Sequence, residues 1–271
     1  MSADLSASYD NRYYLESCGG SEFFRLYKGE VLKPLSAYCL RRAELKPGMS
    51  VLDVGCGRGE LLLHARRAGA AATGTDFSKD ALAIAAQVSG CPVKLSDAGA
   101  LPFPDASFDR VFLVGVACHL HDHELERCLA EIRRVLKPGG ATVLHTCTNR
   151  LYYKNWTWGL RRAAARALRA AGLAVRDPRP PRSDEDEALH VRERSAGELA
   201  AFFRRIGWKA EVELRPNYKM VLRELYGETL PPGFPMRPAP RWQARLFMGL
   251  VFRWPLDRFL ARELFALARP G

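Results

Sequence analysis

The stretch that most constrains the fold is Val51-Leu52-Asp53-Val54-Gly55-Cys56-Gly57-Arg58-Gly59. A short apolar run suits a strand buried on both faces of a parallel sheet. The run breaks into glycines at alternate positions, and a helical pattern, Glu60-Leu61-Leu62-Leu63-His64-Ala65, follows at once. Glycine there lets the backbone turn tightly, approach a ligand closely and deliver it to a helix N-terminus. Asp53 is the anomaly, because a carboxylate inside a buried strand needs donors to satisfy it. Loops of this kind cradle nucleotides in general, so the loop alone leaves the chemistry open.

The same alternation of strand and helix continues along the chain. Strand 51–55 leads to helix 58–68, which Gly69 ends as a C-cap glycine. Ala71–Thr75 forms a second strand ending at Asp76, and Ser78 caps helix 79–88. Val93–Leu95 is a third strand ending at Asp97, and Arg110–Gly115 is a fourth. Residues 121–136 carry Leu125, Leu129, Ile132 and Leu136 at helical spacing. Lys137-Pro138-Gly139-Gly140 stops that helix, and Ala141–Thr146 is a fifth strand. Strands separated by helices of this length make βαβ units, hence an α/β fold with a mostly parallel sheet and helices on both faces. Further on, Ser195 caps a helix with Leu199, Phe202, Phe203 and Ile206, followed by strand-like stretches at Lys209–Leu214 and 263–268.

Composition narrows the partners. The chain has a formal charge of +11, which raises the question of nucleic acid. Much of the excess sits in one segment, where Arg150, Lys154, Arg161, Arg162, Arg166, Arg169, Arg176, Arg179 and Arg182 face Asp177 alone. That reads as a face or lid, and the aromatic-interleaved motifs and zinc knuckles of RNA binders are missing. Cysteines at 18, 39, 56, 91, 118, 128 and 147 form no Cys-x-x-Cys pair. An odd, scattered set argues against a metal site and for reduced thiols in a cytosol. The N-terminal residues show no basic start with an apolar stretch, as a signal peptide would, and no apolar run is long enough to span a membrane.

In an open parallel sheet the ligand lies beyond the carboxyl ends of the strands, at the topological switch point. This chain offers the glycine loop there, then Asp76, then Asp97. An acid at the end of the second strand can accept hydrogen bonds from two ribose hydroxyls. The loop is Gly55-x-Gly57-x-Gly59, which departs from the dinucleotide Gly-x-Gly-x-x-Gly. With Thr75–Ser78, Ser96-Asp97-Ala98, Leu101-Pro102-Phe103, Phe108–Val111 and Arg134–Gly140, it resembles the class I S-adenosylmethionine-dependent methyltransferases. The likeness covers roughly 45–150 and is strongest to the branch of the ubiquinone- and menaquinone-biosynthesis methyltransferases.

That resemblance implies a Rossmann-like seven-stranded sheet and S-adenosylmethionine as cofactor. It implies that Asp53, Gly55, Cys56 and Gly57 line the methionine and ribose side, with Asp76 on the ribose hydroxyls and Phe77 beside the adenine. Asp97 meets the adenine amine, Ala98 its edge, and Gly115 and Val116 border the sulfonium. Residues 48–148 are then the cofactor-binding core, completed by a closing helix and antiparallel strands from 195–215 and 263–271. Around it lie a helical N-terminal segment (1–47) over the cleft, a basic lid (149–194) and a cap (216–262).

The acceptor end is less defined. Val116-Ala117-Cys118-His119-Leu120 has Cys118 where relatives commonly carry an acid, so His119 is the candidate base, with His190 as a second polar candidate. The alternative for His119 is packing against the sheet. Tyr13 and Tyr14 are candidates to close over cofactor or substrate. His121 and His123 suggest a metal less well than a helix start with Asp122 as its cap, and no metal is expected. The apolar segment 242–254 is either a cap helix buried on its own domain or, with 150–182, a peripheral contact to an anionic membrane. The expectation is a methyltransferase of a small-molecule acceptor, methylating oxygen in secondary metabolism or a quinone-like pathway. Nitrogen or carbon methylation of a lipid-like or natural-product substrate, RNA methylation and non-catalytic cofactor binding are the alternatives. Oligomeric state is left open.

Overall fold

The computed structural model describes residues 9–175, 189–216, 241–250, 252–253 and 255–271. The acidic cluster Asp184–Glu187, the prolines of 178–181 and the loop 231–235 lie outside the described residues. The chain builds a sheet of seven strands: β1 Ser50–Val54, β2 Ala71–Asp76, β3 Val93–Leu95, β4 Phe108–Val114, β5 Leu136–Cys147, β6 Trp208–Arg215 and β7 Glu263–Pro270. Their order is β3-β2-β1-β4-β5-β7-β6. The pairs from β3 to β5 are parallel, and β7 lies antiparallel between β5 and β6. The Rossmann-like expectation holds, including the antiparallel pair at one edge.

Neighbouring residues on the central strands enter opposite cores, which is why those strands read as unbroken apolar runs. Leu52, Leu113, Leu144 and Leu264 face one side, while Val51, Phe112, Val143 and Phe265 face the other. The first side is covered by α5 (Asp122–Val135) and α7 (Ala196–Arg205), through Leu125, Leu129, Ile132, Leu199 and Phe203. The second is covered by α2 (Pro34–Ala43) and α3 (Glu60–Arg67), through Tyr38, Cys39, Leu61 and Leu62. Helix α4 (Lys79–Ser89) starts at Ser78, whose hydroxyl accepts from Ala81 N at 3.3 Å. Helix α7 starts at a capping box between Ser195 and Glu198.

Two local expectations change. The fifth strand begins at Leu136, not at 141, because Leu136 already pairs with Phe108 and the Lys-Pro-Gly-Gly stretch is an irregularity inside the strand. The residue flanking α5 is His121, whose N–H donates to Glu124 Oε2 at 2.9 Å; Asp122 is the first helical residue and binds Arg194 instead. Helix α8 (Arg241–Leu250) is not buried along the side chains described, since Trp242, Leu246 and Leu250 are exposed. The basic helix of the lid, α6 (Tyr153–Ala170), likewise exposes Trp156 and Leu160. No helix among the described residues is long and apolar enough to cross a membrane. Two further helices among the described residues are α1 (Ser21–Tyr27) and α9 (Asp257–Leu260).

Ile132 is fully buried between α5 and the sheet. Ile132→Ala removes its packing and leaves a cavity, so unfolding in urea should show a loss of about 2–5 kcal/mol; a loss below 1 kcal/mol would mean that the site collapses freely.

Candidate functional site

The strand order reverses between β1 and β4, and the glycine loop leaves β1 at that crevice. Gly55 N and Cys56 N both donate to Thr75 O, at 2.8 and 2.9 Å, which tie the loop to the end of β2. Gly55 has φ +74°, and a Cβ there would stand 2.4 Å from Val116 Cγ2. Gly59, at φ +76°, brings the start of α3 against α4, where a Cβ would stand 2.9 Å from Ala85 Cβ. These glycines bring backbone close on both sides of the crevice.

A cavity of about 540 Å³ opens over the loop. Every candidate from the sequence lines it: Asp53, Gly55, Cys56, Gly57, Asp76, Phe77, Asp97, Ala98, Gly115, Val116, His119, His190, Tyr13 and Tyr14. His121 and His123 stack on each other at 5.9 Å and do not line it.

Two buried carboxylates form the cavity floor. Asp76 accepts from Gly57 N at 2.9 Å, Ser78 N at 3.0 Å and Tyr14 Oη at 3.4 Å. Burial raises its pKa and these bonds oppose the rise. Asp53 is 3% exposed. Burial, and next the Asp76 carboxylate, push its pKa up to about 7 against the pull of Lys33. Two carboxylates in a desolvated place favour a cationic ligand with hydroxyl donors. Asp97 sits at the exposed rim, where its Oδ1 accepts from Gly99 N at 2.7 Å.

The N-terminal segment roofs this floor. Ser78 Oγ donates to Tyr9 O at 2.8 Å, and the Tyr9 ring meets Phe77 edge-on at 5.0 Å and Tyr13 at 4.9 Å. Arg58, buried beneath it, donates to Tyr14 O at 2.8 Å and Gly19 O at 3.3 Å and pairs with Glu60 at 2.9 Å. The fourth residue of the loop motif thus clamps the roof to the floor. Its place inside a glycine loop gave no sign of that in the sequence.

At the other end the single turn Ala117–His119 follows β4. His119 Nδ1 lies 2.9 Å from Leu189 O and 3.2 Å from Tyr9 Oη. A carbonyl only accepts, so Nδ1 carries the proton and Nε2 keeps the lone pair. The His190 ring stacks on His119 at 4.8 Å, and Cys147 Sγ is 4.0 Å from His190 Nε2. Cys118 Sγ donates to Gly115 O at 3.7 Å; the neighbouring Cys147 thiol lowers the Cys118 pKa, and Cys118 with burial raises that of Cys147. Buried Arg194 holds the turn, donating to Ala117 O at 3.0 Å and to Asp122 Oδ1 at 2.6 Å. The cavity wall also carries His145, whose Nε2 is 3.1 Å from Glu263 Oε2. Tyr9, Arg58, Cys147 and the His145–Glu263 pair are absent from the sequence candidates. Their partners are far away along the chain, and no local pattern marks them.

Against known proteins, residues 52–144 match the family model of a methyltransferase domain. The chain is 41% identical over 145 residues to the ubiquinone/menaquinone biosynthesis C-methyltransferase UbiE of Bordetella avium (strain 197N), covering 50% of this chain and 51% of that one. The chain therefore spans about half the length of that relative. Among solved structures, the DhpI–SAH complex shares the fold at a TM-score of 0.55 and 18% identity, covering 100% of this chain and 99% of that one. The [4+2]-cyclase SpnF does so at 0.55 and 24%, covering 88% and 81%.

Arg58→Ala removes the clamp and leaves Glu60 buried without its cation. Limited proteolysis should cut within 9–20 faster than in the parent protein, and stability should fall by about 3–5 kcal/mol. Unchanged protection of that segment would show that the aromatic contacts hold the roof unaided.

Proposed function

Residues 52–144 match the model of a methyltransferase domain, and on that premise we propose that the protein is a class I S-adenosylmethionine-dependent methyltransferase that moves the sulfonium methyl group to a small-molecule acceptor held between the N-terminal roof and the Cys118–His119 turn. The observation that carries this reading is the pair of buried carboxylates, Asp53 and Asp76, under a cavity at the strand ends. S-adenosylmethionine offers what such a floor lacks: a sulfonium and an α-ammonium for the charge, and ribose hydroxyls for Asp76. The glycine loop and Asp53 take the methionine half, Phe77 and Asp97 the adenine, and Gly115 with Val116 the sulfonium.

The transfer is an in-line displacement, and the departing thioether is neutral, so the leaving group needs no acid. The protein must align the acceptor, exclude water and take up a hydroxyl proton. Tyr9, Tyr13 and Tyr14 supply the exclusion. His119, with its Nδ1 proton engaged at Leu189 O, presents a nitrogen lone pair for the proton, and His190 stands beside it. These features support methylation of oxygen. The similar UbiE protein is named for methylation of carbon, and carbon methylation of a phenol ring also starts from a deprotonated hydroxyl. Both readings therefore use the same residues, and the position of the methyl group on the product separates them. The fold itself does not fix the chemistry, as the cyclase among its neighbours illustrates.

Calorimetry with S-adenosylmethionine and with its demethylated product should show one site. Asp76→Ala should weaken it at least about tenfold, as the loss of a buried charge-assisted hydrogen bond of roughly 1.5–3 kcal/mol requires. No binding by the parent protein would end the proposal. Incubation with methyl-labelled cofactor and a panel of phenols and hydroquinones should put label into small organic products; label in added RNA instead would redirect it.

A pH dependence follows from Asp53. Its folded pKa of about 7 lies above the ordinary 3.8, so its contribution to stability without ligand is fullest below about pH 4 and is lost as pH rises through 7. Affinity for the cationic cofactor runs the other way, because only ionised Asp53 attracts it. The dissociation constant should therefore fall as pH rises from 6 to 8, and Asp53→Asn should flatten that slope. An equal slope in the variant would assign it to another group.

A further inference from the structure

Four soft donor side chains meet at the acceptor end of the cavity, from three separate stretches of chain. Cys118 and His119 follow β4, Cys147 ends β5, and His190 precedes α7. One donor atom from each of Cys118, His119 and His190 lies within 4.8 Å of the others. We propose that Cys118, His119 and His190 form a binding site for a borderline-soft divalent cation of the zinc type, with a fourth position open to the cavity.

Donors around a tetrahedral zinc ion at 2.0–2.3 Å stand roughly 3.5 Å apart. The donors lie within 4.8 Å of one another, so they have to close by at most roughly 1.3 Å, a step of the size that side-chain rotation can supply. The backbone is already locked: Val191 N and Arg192 N both donate to Cys118 O, at 3.0 and 3.2 Å. Arg194 binds the carbonyls of Ala117 and Leu120 from the same segment. The turn and the His190 segment therefore move together, as a preorganised ligand set requires.

The surrounding shell fits the same reading. A histidine that ligates through one nitrogen donates its other N–H to a carbonyl or carboxylate. His119 Nδ1 does this at Leu189 O, 2.9 Å away. Cys147 Sγ lies 4.0 Å from His190 Nε2, beside the set without entering it. Thiolate and imidazole donors select zinc, cobalt or copper over magnesium and calcium, which prefer oxygen. One cysteine and two histidines leave the open coordination position that distinguishes reactive from closed structural zinc sites.

That position faces the cavity where a hydroxyl or thiol of the acceptor would sit. A cation there lowers the pKa of a bound O–H or S–H directly, and the two histidines then act as ligands in place of a side-chain base. Only this identity of the fourth ligand rests on the methyltransfer reading; the three-residue site does not.

The test titrates metal-free, reduced protein with Co(II). One equivalent should bind with the intense visible bands of tetrahedral cobalt and a sulfur-to-cobalt charge-transfer band, and Zn(II) should displace it. Cys118→Ser should abolish the charge-transfer band, His190→Ala should weaken binding at least about tenfold, and Cys147→Ser should retain one equivalent. Absence of stoichiometric binding by the parent protein overturns the proposal, as does binding that survives both Cys118→Ser and His190→Ala. Calorimetry with the demethylated cofactor on the same samples separates the two claims. Cofactor binding without cobalt binding removes the metal site alone, whereas loss of cofactor binding removes the methyltransfer reading and leaves the metal result standing.

Discussion

Everything at the site depends on two carboxylates held where carboxylates are least comfortable. Asp53 and Asp76 sit at the ends of adjacent parallel strands, β1 and β2, almost sealed from water. A desolvated negative charge has to find donors or a cation. Asp76 finds donors in the backbone of Gly57 and Ser78, and this sets the path of the glycine loop and the start of α4. Asp53 is drawn down only by the charge of Lys33, which partly offsets burial. The floor of the cavity is therefore poised for a positive ligand, and the fold around it maintains that tension without relieving it.

The roof answers the same constraint. A crevice at the end of a parallel sheet is open to solvent by construction, and the proposed methyl transfer requires water to be kept out. The chain closes it with aromatic residues from its own N-terminal segment, tied down by Arg58 from the loop below. One short motif thus serves both surfaces: glycines where the ligand's backbone approach is needed, and a buried arginine where the cover has to be held. The opposite wall uses the same device in Arg194, which fixes the turn after β4 against the segment that delivers His190.

Much of this architecture was legible before any coordinates. Strands β1 to β5 and their helices follow from apolar runs, glycine C-caps and the caps at Ser78 and Ser195, all of which are local signals. The boundary at Leu136 was not, because Leu136 joins β5 through its pairing with Phe108, and a proline followed by two glycines reads locally as a stop. Asp122 resembled a cap because its side chain suits one, yet Arg194, 72 residues away, takes it. Whether the apolar face of α8 is covered was also not legible, since a run of Trp, Leu and Phe looks the same in both cases.

The sequence by itself determined the doubly wound sheet, the crevice and the acids that line the cavity floor. Each of these depends on short-range pattern: hydrophobic period, glycine spacing, and an acid at a strand end. Only the tertiary structure decided what surrounds the Cys118–His119 turn. Tyr9 with His119, Cys118 with Cys147, and His145 with Glu263 are joined across 110, 29 and 118 positions. Such pairs are chosen by which strands become neighbours and how segments fold over them, and no local propensity encodes that choice. The soft donor cluster belongs to this second kind: three stretches of chain, each unremarkable alone, acquire chemistry by being brought to one place.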